Sequence, residues 1–413
     1  MSRRAPAFAV AAIALVVAAA GSTGAYAQET RAEALEQARS EKARALAPYE
    51  PRTLEKWMLW FERTDPIRKI SPHDGFYLQY GFRWKPVGGG VGVGGGWRHD
   101  LFNRHARIVL GGGISTRNYQ MLQADFSLPY LVGDRVEVGG LAVYRHNPQE
   151  DYWGLGNDSV KDNRVSFKVD YRNYEGRAIV RPLPWLEAGT RFGRLDGTIG
   201  EGTDSRFPSI EELFTDETAP GLAAQPDFSY AEAFAAVDYR DQEDNARDGG
   251  FYSLSWRNYS DRDFDRYSFR AVDAIVQQFF PIFDKKRVFA VQGRLQSAAV
   301  EEGAGQQVPF YFKPTLGGST SLRSFNDYRF RDDAVVYVNV EYRWEAFSGM
   351  DMALFSDWGT VAPNIGRLKI SHVKHGYGIG FRFNTYKSVL FRVDIGFGGG
   401  EGVQTFVKFS KAF

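Results

Sequence analysis

Val335-Val336-Tyr337-Val338-Asn339-Val340-Glu341-Tyr342-Arg343-Trp344 alternates strictly between two kinds of surface. A β-strand turns successive side chains to opposite faces, so Val336, Val338, Val340, Tyr342 and Trp344 share one face. Tyr337, Asn339, Glu341 and Arg343 share the other. The period of two returns in residues 377–384, where Tyr377, Ile379, Phe381 and Phe383 oppose Gly378, Gly380, Arg382 and Asn384. It returns again in residues 389–397, where Val389, Phe391, Val393, Ile395 and Phe397 oppose Arg392 and Asp394. Charge confined to one face suits a strand set between lipid and a wet or filled lumen. It suits a strand of a soluble sandwich equally well, with the apolar face turned inward. One strand does not separate the two readings; the export signal, the strand count and the terminal aromatic do so together.

Working outward, segments of this kind begin near residues 76, 89, 105, 118, 134, 164, 185, 228, 249, 265 and 285, and five more follow residue 333. About sixteen antiparallel strands close into a barrel with both chain ends on one side. In such a barrel long connections follow odd-numbered strands. Residues 147–163, 198–226 and 300–333 are long and follow the fifth, seventh and eleventh. Pro182-Leu183-Pro184, Pro281-Ile282-Phe283-Asp284 and Asn384-Thr385-Tyr386 are short and follow even ones.

The N-terminus reads differently. Arg3 and Arg4, an apolar run from Ala7 to Ala20 and Ala25-Tyr26-Ala27 before Gln28 have the form of a cleaved export signal, residues 1–27. Residues 28–74 read as a helical segment: 29–47 are rich in Ala, Glu, Arg and Lys, and 53–63 carry Leu54, Trp57, Met58, Trp60 and Phe61, which suits a packed or interface-lying helix. Residues 75–413 read as an all-β transmembrane barrel of the bacterial outer membrane.

Composition narrows the function. Lys and Arg together number 51 against 50 Asp and Glu, so no net field favours nucleic acid. Aromatics at 15% and 44 glycines suit interfacial girdles and a curved wall. With no cysteine there is neither a disulfide nor a thiolate metal site. Gly88-Gly89-Gly90 and Gly94-Gly95-Gly96 match a phosphate loop only loosely and read as small residues in strands. Asp241, Glu243, Asp244 and Asn245 suggest calcium, but Tyr252 stands where the closing glutamate would be. The six histidines, His372 and His375 among them, make no Ser/His/acid spacing. No cofactor, metal or catalytic centre is expected.

One pair stands out instead. The alternation turns Asp351, Ala353, Phe355, Asp357 and Gly359 inward on the thirteenth strand, and a carboxylate desolvated there needs a partner. Arg323, in Leu316-Gly317-Gly318-Ser319-Thr320-Ser321-Leu322-Arg323-Ser324-Phe325, can supply it through a bidentate guanidinium. Gly359, Gly378, Gly380 and Gly396 leave room for a loop folded back into the lumen. On these residues alone, a pair that merely plugs or stiffens the barrel is as good a reading as a functional one.

Leu322-Arg323-Ser324-Phe325 resembles the arginine loop motif of the BamA/TamA-like bacterial surface antigen superfamily, and Phe355-x-Asp357-x-Gly359 resembles its strand partner. Tyr152-Trp153-Gly154-Leu155-Gly156-Asn157-Asp158-Ser159, Asp238-Tyr239-Arg240-Asp241 with Arg247-Asp248-Gly249-Gly250, and an aromatic last strand ending at Phe413 add to the likeness. The resemblance implies a sixteen-stranded barrel whose sixth extracellular loop enters the lumen and locks through Arg323 and Asp357. It also implies Phe413 as an assembly signal. Ser324 departs from the usual glycine, and the stretch before Gly75 is too short for POTRA domains, as in the short branch of the family. Expected partners are outer-membrane lipid, the assembly machinery as the chain's own inserter, and client proteins, with no nucleic acid. The expected function is insertion or translocation of proteins or lipids through a seam between the first and last strands. The alternative is a diffusion pore tuned by Glu341, Arg343, Arg382, Arg392 and Asp394, and a barrel enzyme acting on lipid is a more distant one.

Overall fold

The computed structural model describes residues 35–41, five positions between 53 and 64, and residues 74–80, 89–300, 305–384 and 389–408. The expected signal, residues 1–27, and Phe413 lie outside the described residues, as does most of the expected helical segment. The chain divides into two units, Met1–Lys56 and Trp57–Phe413. In the first, residues 35–41 are helical and exposed.

The second unit is one antiparallel sheet of sixteen strands in sequence order. The strands are β1 (Gly75–Tyr80), β2 (Gly92–Leu101), β3 (Ala106–Ser115), β4 (Gln120–Leu131), β5 (Val136–Tyr152), β6 (Val165–Leu183), β7 (Leu186–Glu201) and β8 (Phe228–Asp238). They continue as β9 (Gly249–Asp261), β10 (Phe269–Ile282), β11 (Arg287–Val300), β12 (Ala334–Phe347), β13 (Met350–Ala362), β14 (Lys374–Asn384), β15 (Val389–Phe397) and β16 (Gln404–Lys408). Every consecutive pair is hydrogen-bonded. The sheet curls far enough for the connection after β5 to reach β13, where the Asn157 side chain bonds Thr360 and Val361.

The two faces are inverted relative to a soluble sandwich. Outward-facing Leu254, Trp256, Leu354, Trp358 and Tyr377 are exposed, while inward-facing Asn339, Glu341, Asp357, Arg392 and Asp394 are buried. An apolar outside over a charged inside requires a hydrocarbon solvent around the barrel.

Long connections fall after odd-numbered strands with one exception. Residues 153–164, 202–227, 301–333 and 363–373 follow odd-numbered strands, whereas 132–135, 184–185, 283–286 and 348–349 follow even ones. Residues 239–248, after β8, are the exception. This turn is not a loose excursion: Asp241 accepts hydrogen bonds from the backbone N–H groups of Arg247 and Asp248 and pairs with Lys285 at 3.1 Å. Arg247 reaches Asp351 on β13 at 2.5 Å. The acidic stretch that suggested calcium thus uses Asp241 to shape its own turn.

At the end carrying the long connections, the loops pack on one another. Tyr152, Phe167, Ile199, Ile210, Leu222 and Phe310 form one apolar cluster. Phe228, Tyr230, Tyr259, Tyr267, Phe269 and Val308 form a second. Those clusters hold residues 202–227 and 305–312 against the tops of β5 to β10 and so fix where the rest of the long loop enters the lumen.

Candidate functional site

The loop after β11 descends as a narrow finger. Its stem pairs Thr315–Leu316 with Phe330–Arg331. At the head of the stem Gly317 and Gly318 take φ values of +116° and +95°, a region that costs a side-chain-bearing residue strain. The turn closes through Ser321 N–H to Gly318 O at 3.2 Å and Phe325 N–H to Leu322 O at 3.1 Å. Leu322 and Phe325 pack against Leu316, Phe330, Val335, Tyr337 and Val361, which anchors the finger to β12 and β13.

That anchoring aims Arg323 at the wall. Its Nε and Nη2 donate to the two carboxylate oxygens of Asp357 at 2.9 and 2.7 Å, and its backbone N–H donates to the same carboxylate at 3.0 Å. Nη1 pairs with Glu341. The guanidinium lies 3.6 Å from the centre of the Phe355 ring, a cation–π contact. Burial alone would pull this guanidinium down, yet Asp357 and Glu341 beside it hold it above its ordinary value. Arg323 is 2% exposed and Asp357 0%, so water offers neither a substitute partner.

The structure therefore brings Leu322, Arg323, Ser324 and Phe325 together with Phe355, Asp357 and Gly359. It also extends the pair into a network. Arg382 joins Glu341 at 2.7 Å and Asp394 at 3.0 Å, while Arg392 joins Asp394 and donates to Ser319 O of the finger at 2.7 Å. Asn339 donates to Asp357 at 2.8 Å and to Ser321 O, and Arg343 donates to Glu341 at 2.6 Å. Four guanidiniums and three carboxylates interlock across β12 to β15 and the loop. The residues named for pore selectivity are thus committed to one another.

Glycines make the seat, though not always those expected. A Cβ on Gly396 would stand 2.0 Å from Arg323 O, and one on Gly359 would meet Leu316 at 2.9 Å, so these two do admit the finger. Gly378 and Gly380 instead clear space for side chains of the wall itself, Phe355 and Arg382. Gly376 and Gly399, which periodicity did not single out, lie directly against Ser324. Ser324 in turn donates its hydroxyl to Phe397 O, so the residue that departs from the family pattern ties the finger to β15. Gly376→Val, whose Cβ would begin 1.9 Å from Ser324 Oγ, is expected to unseat the tip at a cost of roughly 1–3 kcal/mol. The check is the temperature at which the folded, fast-migrating gel band is lost. Gly293→Ala, where a Cβ meets nothing within 4 Å, is the control; equal behaviour of the two variants would refute the seat.

Two further side chains tie together the connections around the finger. Asn157 also donates to His372 O at 3.2 Å, so one amide stitches the connections after β5 and β13 together. Arg329 bonds Glu401 at 2.6 Å and Ser159 O at 2.8 Å, linking the finger to the connections after β5 and β15. Asn157 and Ser159 belong to the Tyr152–Ser159 motif, so a signal was present without a role attached.

A family model described as the Omp85 superfamily domain matches residues 101–409. The chain has no match among curated proteins. Among solved structures it is similar to BamA from Haemophilus ducreyi lacking POTRA domains 1–3, at 16% identity, 81% of this chain, 69% of that one and a TM-score of 0.59. It is also similar to CdiB from Escherichia coli, at 12% identity, 81% of this chain, 61% of that one and a TM-score of 0.50. At these identities the structural likeness carries the fold alone.

Proposed function

The chain belongs to the Omp85 superfamily, and on that premise we propose that it inserts or translocates client proteins at the outer membrane by opening a seam between β1 and the last strand. The observation that carries the reading is an asymmetry of the wall. β12 to β15 are locked by the buried charge network. Next to β1, three successive pairs across β2 and β3 are glycine on glycine: Gly94 with Gly113, Gly95 with Gly112 and Gly96 with Gly111.

Cross-strand side-chain pairs stabilise a sheet, and glycine contributes none. The wall on the β1 side of the seam is therefore the pliable part, while the finger holds β12 to β15, on its other side, rigid as an anchor. Parting β1 from the last strand exposes backbone groups that cost several kcal/mol each in lipid, and an incoming strand satisfies them. In this reading the long connections face outside and the short turns face the periplasm. The exposed outer face takes outer-membrane lipid, a cleaved signal delivers the chain, and the resident assembly machinery inserts it.

The test places single cysteines in β1 and in the last strand, scanned for a pair that crosslinks. Liposomes bearing the purified barrel should accelerate folding of a small client barrel, lose that activity when the seam is oxidised, and regain it with reductant. Full activity with the seam locked, together with a steady ion-selective current in planar bilayers, would favour the pore.

A further inference from the structure

A second place in the lumen carries buried polar atoms with no hydrogen-bond partner among the described residues. A cavity of about 660 Å³ lies between the inner faces of β5 to β9 and the part of the long loop around residues 311–315, 328 and 331. None of the network residues Arg323, Glu341, Asp357, Arg382, Arg392 or Asp394 lines it. Its size is that of a small-molecule site.

Elsewhere in the lumen arginines are matched: Arg177 with Asp125 and Glu137, Arg294 with Asp273. On the cavity itself Arg257 is matched with Glu232 and Lys313 with Asp333, but three polar atoms of other lining residues are not. Arg331 is 6% exposed, and its Nη1 donates to Phe310 O at 2.8 Å, but its Nε meets no partner among the described residues. The Nε of Arg145 and the Oε1 of Glu150, a residue 9% exposed, are in the same position. Buried polar atoms of this kind are costly to leave unmatched, and three on residues that line one cavity mark a site. Between them stand rings with hydroxyl edges, Tyr171, Tyr230 and Tyr328, and Arg145 lies 5.7 Å over the Tyr171 ring.

We propose that this cavity binds an anionic sugar, a pyranose carrying a carboxylate or phosphate. Tyrosine rings offer flat apolar faces to the C–H side of a pyranose, and their hydroxyls with Glu150 serve its hydroxyl groups. The two guanidiniums supply fork-shaped donors that match a carboxylate or phosphate. An acyl chain would leave Arg145, Glu150 and Arg331 unmatched. A peptide strand finds no backbone to pair with, because β5 to β9 are each bonded on both sides.

The same chemistry occurs in a free acidic saccharide and in a phosphorylated lipid headgroup, so both are titrated. Purified full-length barrel in detergent is titrated calorimetrically with trigalacturonate, maltotriose, inorganic phosphate and lipopolysaccharide in mixed micelles. Trigalacturonate or lipopolysaccharide should bind at least about tenfold tighter than maltotriose or phosphate, the difference one good charge-assisted contact supplies. Binding of the free trimer assigns a soluble saccharide, and binding of the lipid-linked form alone assigns a headgroup. Arg145→Gln and, separately, Tyr171→Leu should each weaken that binding by about tenfold while the folded gel band keeps its heat resistance. Equal affinity for phosphate alone, equal affinity for maltotriose, no binding by any probe, or unchanged binding in folded Arg145→Gln each overturns the assignment.

Discussion

Arg323→Ala and Asp357→Ala should each destabilise the barrel by roughly 3–5 kcal/mol, the cost of stranding one member of a buried ion pair, and the double variant should cost little more than either. Arg323→Ala strands Asp357, takes one of three cations from Glu341, and gives up the contact with Phe355. Asp357→Ala leaves Arg323 with Glu341 but takes a partner from Asn339 as well. The arginine variant should therefore be the weaker of the two. Urea titration of the refolded barrel, read by gel mobility, measures the three losses. In planar bilayers each single variant should also raise conductance, because a loosened finger no longer fills the lumen. Losses that add in full would mean that the two side chains act separately, and the lock would have to be abandoned.

Much of this is legible in the amino-acid sequence. The period of two assigned the inner and outer faces of β12 to β15 residue by residue, because lipid and lumen impose opposite demands on neighbouring side chains. Sixteen strands emerged because each turn interrupts that period. Arg323 and Asp357 were readable as partners because a desolvated carboxylate admits few solutions. Glu341, Arg382, Arg392 and Asp394 were seen to face inward, yet their linkage was not visible: it depends on a stagger between strands that alternation alone does not encode. The seat at Gly376 and Gly399 was missed for a related reason, since the finger's path across β14 and β15 is set by the Leu322 and Phe325 contacts made far away in sequence. The inward role of residues 239–248 was hidden because a turn rich in Asp, Asn and Arg looks like any solvated turn until Arg247 is seen against Asp351.

Glu341, more than Asp357, is the centre of the network, since it pairs with three of the guanidiniums. Its two oxygens take Arg323, Arg343 and Arg382, and the residue is 0% exposed. Without its charge, the buried guanidiniums of Arg323, Arg382 and Arg392 share Asp357 and Asp394. Glu341→Gln preserves the shape and should still cost roughly 3–5 kcal/mol, since the loss is one of charge and not of volume. Removing a cation as well should then help. With Arg382→Gln added, Arg323 retains Asp357 and Arg392 retains Asp394, so the double variant should be more stable than Glu341→Gln alone although both changes are harmful singly. Urea midpoints of the four barrels form the cycle. A double variant weaker than Glu341→Gln would show that Arg382 contributes packing and hydrogen bonds to the wall independently of Glu341, and the seven charges would then be separate pairs instead of one balanced unit.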